Sequence, residues 1–245
     1  MANILMPLPD KDFDVTEVAV PWRLLTNAGH QVIFATEQGG FAPEADALLL
    51  NPGIFKSLGA AKQAKHYYAE MLNDNAFQLP ICWDQIDIST IDGLILPGGH
   101  APGMRQYLGN KDLHQIIADF WQTKKPVGAI CHGVITLARA TNSDGLSVLS
   151  GMKTTSLPKY MERLAYFLTF WKLGKHYRTY PAYVEDEIKS VLTSGGQYFR
   201  GPINLGKRGS DTDHSDAFVV EDGRYISARW PGDAYLFTER FLSLL

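Results

Sequence analysis

Apolar residues recur along this chain in two rhythms. Short unbroken runs occur at Asn3–Met6, Gln31–Thr36, Asp92–Pro97 and Val127–Ile130, each closed by glycine, proline or polar residues. Runs this short and this uniformly apolar fit strands buried on both faces. Between them the spacing becomes helical. Val15, Val18, Ala19, Trp22, Leu25 and Ala28 share one face of an Asp14–Ala28 helix that Gly29 stops. Leu58–Leu72 and Leu113–Gln122 read as further helices, and Val134–Ala140 as a helix that starts straight after the last run. Phe41–Asn51 fits either extended chain or a helical turn. The alternation predicts an α/β fold: a mostly parallel sheet covered by helices on both faces, in three layers.

The second half is less regular. Ser147–Thr155 reads as a strand, and Pro158–Trp171 and Val184–Ser190 as helices. Ala217–Val220 and Tyr225–Ala228 read as a hairpin across Glu221-Asp222-Gly223, with a closing helix over Pro231–Leu245. No repeat or low-complexity linker divides the chain, so one domain over 1–245 is expected.

Charge narrows the function. Lys and Arg number 23 against 26 Asp and Glu, and the cations are scattered, which argues against nucleic-acid or membrane partners. No uncharged stretch approaches the ~20 apolar residues of a membrane span. The densest segment, LAYFLTFW at Leu164–Trp171, is flanked by charges and reads as a helix face packed on the body or a hydrophobic lid. The two cysteines, Cys82 and Cys131, make no disulfide framework, and MANILMPLPD lacks the basic start of a secretory leader. A reducing, cytoplasmic setting is the expectation.

Lys124–Thr136 (KKPVGAICHGVIT) carries the chemistry. A strand that ends in a small nucleophile and turns at once into a helix is laid out as a nucleophile elbow. The first free N–H groups of the helix would stabilise a Cys131 thiolate and lower its pKa, making it more reactive than Cys82. His132 is placed to take or return a proton. A buried structural cysteine is the bland alternative. Two further features belong at the carboxyl ends of the strands, where open parallel sheets bind ligands. The Pro97–Gly103 loop is either a plain turn or a source of N–H donors to a developing oxyanion. Glu17 either complements the dipole of its helix or turns inward towards the cysteine. Arg208, Asp213, His214 and Arg229 fit a substrate contact or a solvated loop equally.

Glu17 with Pro21 four residues later, DGLILPGG at 92–99 and AICHG at 129–133 together resemble the DJ-1/PfpI superfamily, part of the class I glutamine amidotransferase-like fold. The resemblance implies a flavodoxin-like sheet, a nucleophilic Cys131, Glu17 hydrogen-bonded to its sulfur, and an oxyanion hole and substrate site near Gly98, Gly99, His100, Gly133 and the His132 backbone. The inserted segment around 38–91 and GGHAPGM resemble the branch of heat-shock chaperones and glutathione-independent glyoxalases. That branch implies a Cys131-His132-Glu162 triad, a cap around 156–190 and a homodimer. No metal and no cofactor are expected.

The expected activity is that of a glyoxalase III-like lyase, in which Cys131 attacks a 2-oxoaldehyde such as methylglyoxal to give lactate. The alternatives are a cysteine amidase or peptidase of the PfpI type, and a stress chaperone or redox sensor without turnover. In the sensor version Glu17 would stabilise an oxidised Cys131.

Overall fold

A computed structural model describing residues 1–245 resolves the alternation into one seven-stranded sheet. Its strands are β1 (Asn3–Pro7), β2 (Gln31–Thr36), β3 (Ile81–Cys82), β4 (Gly93–Leu96), β5 (Val127–Ile130), β6 (Val219–Asp222) and β7 (Tyr225–Ala228). They lie in the order β3-β2-β1-β4-β5-β7-β6. Every neighbouring pair is parallel except β6 with β7, the expected hairpin. β4 and β5 are buried at every residue, which is why their sequences show no polar alternation.

The helices flank this sheet in two groups. α1 (Val15–Asn27) packs against α2 (Lys62–Met71) and α7 (Ala234–Leu242). The other group joins α4 (Val134–Arg139) to α3 (Lys111–Gln122) and α6 (Val184–Val191). Asp14 caps α1, its Oδ1 accepting from the Thr16 and Glu17 N–H groups at 2.7 and 3.1 Å. No helix is long and apolar enough to cross a membrane.

Chain order reverses beside β1: β2 and β3 extend the sheet one way, β4 and β5 the other. The ends of β1, β4 and β5 therefore meet at a topological switch point, where this class of sheet leaves a crevice.

Several expectations need correction. Ser147–Thr155 forms no strand, only isolated bridges from Ser147 to Thr141 and from Thr154 to Tyr198. Its N–H groups divide between turn carbonyls, as Ser150 to Ser147 and Met152 to Leu149, and side chains, as Leu149 to Ser147 Oγ and Thr155 to Ser227 Oγ. The Leu58–Leu72 helix begins only at Lys62, since Gly59 interrupts it after a short turn at Lys56–Leu58. Phe41–Asn51 is both things it resembles, a Glu44–Ala45 strand and an Ala47–Leu50 turn capped by Asp46. The Glu44–Ala45 strand pairs with Lys11–Phe13 in a small second sheet, which the pattern did not reveal.

The unassigned segment before α7 is tied down by a fully buried ion pair. The Arg229 guanidinium donates twice to the Asp233 carboxylate at 2.9 Å, and also to the Pro202 and Asp216 carbonyls. Arg229 is thus structural. Asp213 and His214 face outward, accepting from the Ser215 N–H and reaching Glu239. Arg229→Met leaves the Asp233 charge buried and unpaired, and should cost about 3–5 kcal/mol in urea unfolding. Replacing both partners by apolar residues should recover much of that loss.

Candidate active site

β5 delivers Cys131-His132-Gly133 as a single tight turn leading into α4. Cys131 has φ of 58°, a left-handed conformation that costs a non-glycine residue about 1–3 kcal/mol. Gly133 is required by space: a Cβ there would sit 2.0 Å from the Leu96 carbonyl oxygen. The elbow is therefore pressed against the end of β4.

The Cys131 thiol is buried, and the His132 Nδ1 lies 3.5 Å from its sulfur. The His100 ring packs on His132 edge to face, with centroids 4.6 Å apart. Glu17 is wholly buried at the start of α1, so its helical phase does turn it inward. Its Oε2 accepts from the Gly98 N–H at 2.7 Å, while Oε1 is unpaired on the side of the thiol. A Cβ at Gly98 would lie 2.7 Å from the His132 nitrogen and 2.9 Å from Glu17 Oε2. Only glycine lets the loop, the carboxyl and the elbow converge.

The oxyanion donors divide differently from expectation. The Gly98 N–H is committed to Glu17, and the His132 N–H points to the thiol. The buried Gly99 N–H donates to no protein acceptor and is one of the loop's free donors. His100 Nδ1 is likewise buried and unpaired.

Electrostatics overturn the expected low thiol pKa. Burial, followed by the charges of Glu17 and Asp14, pushes the Cys131 thiol well above its ordinary value, and the His132 N–H offsets this only in part. Burial and Asp14 push the Glu17 carboxyl up as well. His132 is driven well below its ordinary value by burial and by His100, and burial takes His100 to about 4. All four shifts run towards the uncharged forms: thiol, carboxylic acid and two imidazoles. The His132 Nδ1, 3.5 Å from the sulfur, is the nearest ring nitrogen that could exchange a proton with the thiol.

Glu162 is not brought to His132. It is buried, but its Oε2 accepts from the Val184 N–H at 3.0 Å and its Oε1 from Arg178 Nη1 at 3.2 Å. It binds α5 (Lys159–Leu173) to the start of α6. No carboxylate oxygen comes within ion-pair distance of either His132 ring nitrogen.

Beside the cluster lies a cavity of about 170 Å³, close to the size that holds one benzene. Met161, Leu164, Ala165 and Leu168 of α5 form its apolar wall, together with Leu49, Leu58 and Trp230. Its polar lining is Asp14, Asp46, His100, Tyr177 and Arg208. The cavity ends on His100, and Cys131 lies one ring beyond. Asp14 and Tyr177 escaped the sequence reading, the first because it reads as an ordinary helix cap and the second because no pattern surrounds it. His100, Cys131 and His132 also bring three ligand atoms within 4.8 Å of one another, a sulfur and nitrogen set suited to a soft cation.

A family model described as ThiJ/PfpI family-like matches residues 8–202. The chain belongs to this family. An uncharacterized protein of Schizosaccharomyces pombe is 29% identical over 167 residues, covering 65% of this chain and 60% of that protein. A deglycase of Thermococcus kodakarensis is 25% identical over 233 residues, covering 95% of this chain and 93% of its own. The crystal structure of glyoxalase III from Candida albicans superposes with a TM-score of 0.72 over 100% of this chain and 97% of that one, at 18% identity, and so shares the fold.

Two outcomes test this geometry. Iodoacetamide labelling of Cys131 near neutral pH should be slow in the native protein, and His100→Ala should accelerate it by opening the path from the cavity, with Cys82 unaffected. Unchanged Cys131 labelling in that variant would mean that His100 does not close the path. The second concerns Glu162, which burial raises to about 7 in the folded chain from an ordinary 4.5. The folded state then holds a proton that the unfolded state has released, so this group's contribution to stability falls as pH rises from about 4.5 to 7. Glu162→Gln should flatten that part of the fall in urea midpoints; parallel profiles would contradict it.

Proposed function

We propose that this chain is an enzyme that processes small reactive carbonyl compounds, with Cys131 as nucleophile. The observation that carries the reading is the Cys131–His132 pair, 3.5 Å apart at a strained strand end and one ring away from a small apolar cavity. A weak, enclosed thiol with an adjacent neutral base suits attack on a strong electrophile such as an aldehyde. The nearly full-length likeness to a protein named a deglycase supports the same chemistry.

For a 2-oxoaldehyde the steps balance without a redox partner. Cys131 sulfur adds to the aldehyde carbon while its proton passes by way of His132 to the aldehyde oxygen, giving a hemithioacetal and leaving His132 neutral. Free loop N–H groups such as that of Gly99 are the donors available to that oxygen. A base removes the hydrogen from that carbon, and a proton returns to the neighbouring carbon, so the first carbon is oxidised and the second reduced. The resulting 2-hydroxy thioester is cleaved by water, releasing the hydroxy acid and restoring the thiol. His132 is the group placed for these transfers. With Glu162 engaged elsewhere, packing against His100 fixes the ring orientation.

Glu17 keeps its proton throughout and donates to sulfur as negative charge appears there. A carboxylate at that position would oppose the attack. The cavity's small volume disfavours peptides as substrates.

The test is methylglyoxal consumption without glutathione. Cys131→Ala and His132→Ala should each fall to near background, and the double variant should be little worse than Cys131→Ala, because the pair acts as a unit. Glu162→Gln should retain most turnover, since its carboxyl holds α5 to α6 and does not touch the ring. Absence of turnover in the wild type at any pH between about 6 and 9 would reject the 2-oxoaldehyde reaction, since this range spans the ordinary titration of imidazole and thiol.

A further inference from the structure

The cavity beside His100 holds an imbalance among its charged groups. Its two carboxylates are already engaged by the protein: Asp14 accepts from two backbone N–H groups, and Asp46 accepts from the Leu48 N–H at 2.9 Å and the Tyr177 hydroxyl at 3.1 Å. Its one cation is not. The Arg208 guanidinium makes a single contact with the protein, a long 3.3 Å hydrogen bond to the Gly59 carbonyl. It is shelved on the Trp230 ring, 5.3 Å from the centroid, and no carboxylate lies within 4.0 Å of it. A guanidinium carries five N–H donors in a planar fork matched to a carboxylate. Here most of that fork serves no protein acceptor, although the residue is largely withdrawn from water and lines a ligand-sized space.

We propose that Arg208 is the residue that selects substrate, binding a carboxylate at one end of a small molecule whose apolar body lies along α5 and whose carbonyl reaches past His100. The preferred substrate class is then a short-chain carboxylic acid that also bears a reactive aldehyde or 2-oxoaldehyde. This inference rests on the carbonyl reading of the same site. The apolar wall of Met161, Leu164 and Leu168 accommodates the chain, and stacking on Trp230 holds the fork in plane. Burial lifts the Asp14 carboxyl to about 6 against the pull of the Arg208 charge, so the two groups share this end of the cavity. In the sequence Arg208 sits in a polar, irregular stretch that fits a substrate contact or a solvated loop equally, and only the fold separates the two.

Calorimetric titration with hexanoate and with hexanamide, which have the same shape and differ in charge, separates the anion contact from simple apolar binding. Wild type should bind hexanoate roughly tenfold or more tighter than hexanamide, the range of a hydrogen bond to a charged group. Arg208→Gln should bind the two equally, and Arg208→Lys should keep part of the preference; continued binding of hexanamide shows that the variants are folded. A 2-oxoaldehyde carrying a terminal carboxylate should show a lower KM than its methyl ester, and Arg208→Gln should remove that difference. Equal affinity for acid and amide in the wild type, or a preference that survives Arg208→Gln, would overturn the proposal. Methylglyoxal turnover measured in parallel keeps the two readings apart. Turnover with no acid preference rejects the Arg208 site and leaves carbonyl processing standing. Acid preference with no turnover supports the Arg208 site and rejects the carbonyl reaction.

Discussion

The contact between the Cys131 elbow and the end of β4 governs the rest of the site. At Gly133 the approach is so close that a single added carbon would lie 2.0 Å from the Leu96 carbonyl. That contact forces the left-handed backbone at Cys131 and sets the elbow against the Gly98 loop. It also brings the His132 backbone within reach of Glu17, which arrives from α1 on the other strand end. Three segments far apart in sequence thus share one point, with glycine at each place where a side chain would intervene. A sheet that reverses direction beside β1 supplies the crevice, and the glycines supply the contact.

Enclosure decides the chemistry of what is gathered there. The helix start at α4 would favour a thiolate, but burial and neighbouring acids outweigh it, and every shift in the cluster runs towards the neutral form. A neutral cluster is compatible with a dry site and avoids isolated buried charges. It also makes the nucleophile conditional: sulfur gains charge only when a proton acceptor and an electrophile are both in position. On the proposed reading, such a site would be quiet towards mild alkylating agents and would favour strongly polarised carbonyls.

What the sequence revealed was local. The elbow is legible because strand, nucleophile, glycine and helix follow one another without a gap, and Glu17 because helical phase fixes which way a side chain turns. Glu162 is different. Its partners are Arg178 and the Val184 N–H, and both depend on how the irregular stretch after α5 folds back, which no periodicity records. Ser147–Thr155 has the composition of a strand, yet local turn carbonyls and two serine hydroxyls take its backbone hydrogen bonds. Arg229 and Arg208 look alike in sequence. One is locked to Asp233 and the other is left with its donors free, a distinction that exists only in three dimensions.

The central claim is that Cys131 forms a covalent bond with the carbonyl substrate while His132 carries the proton. It is tested most directly by acid quenching during turnover of methylglyoxal, followed by peptide mass mapping at acid pH. The account predicts an adduct of one substrate unit on Cys131, absent from Cys82, that builds up within the first turnover and is greatly slowed in His132→Ala. Full-rate turnover with no adduct on Cys131, or turnover that persists in Cys131→Ala, would contradict it.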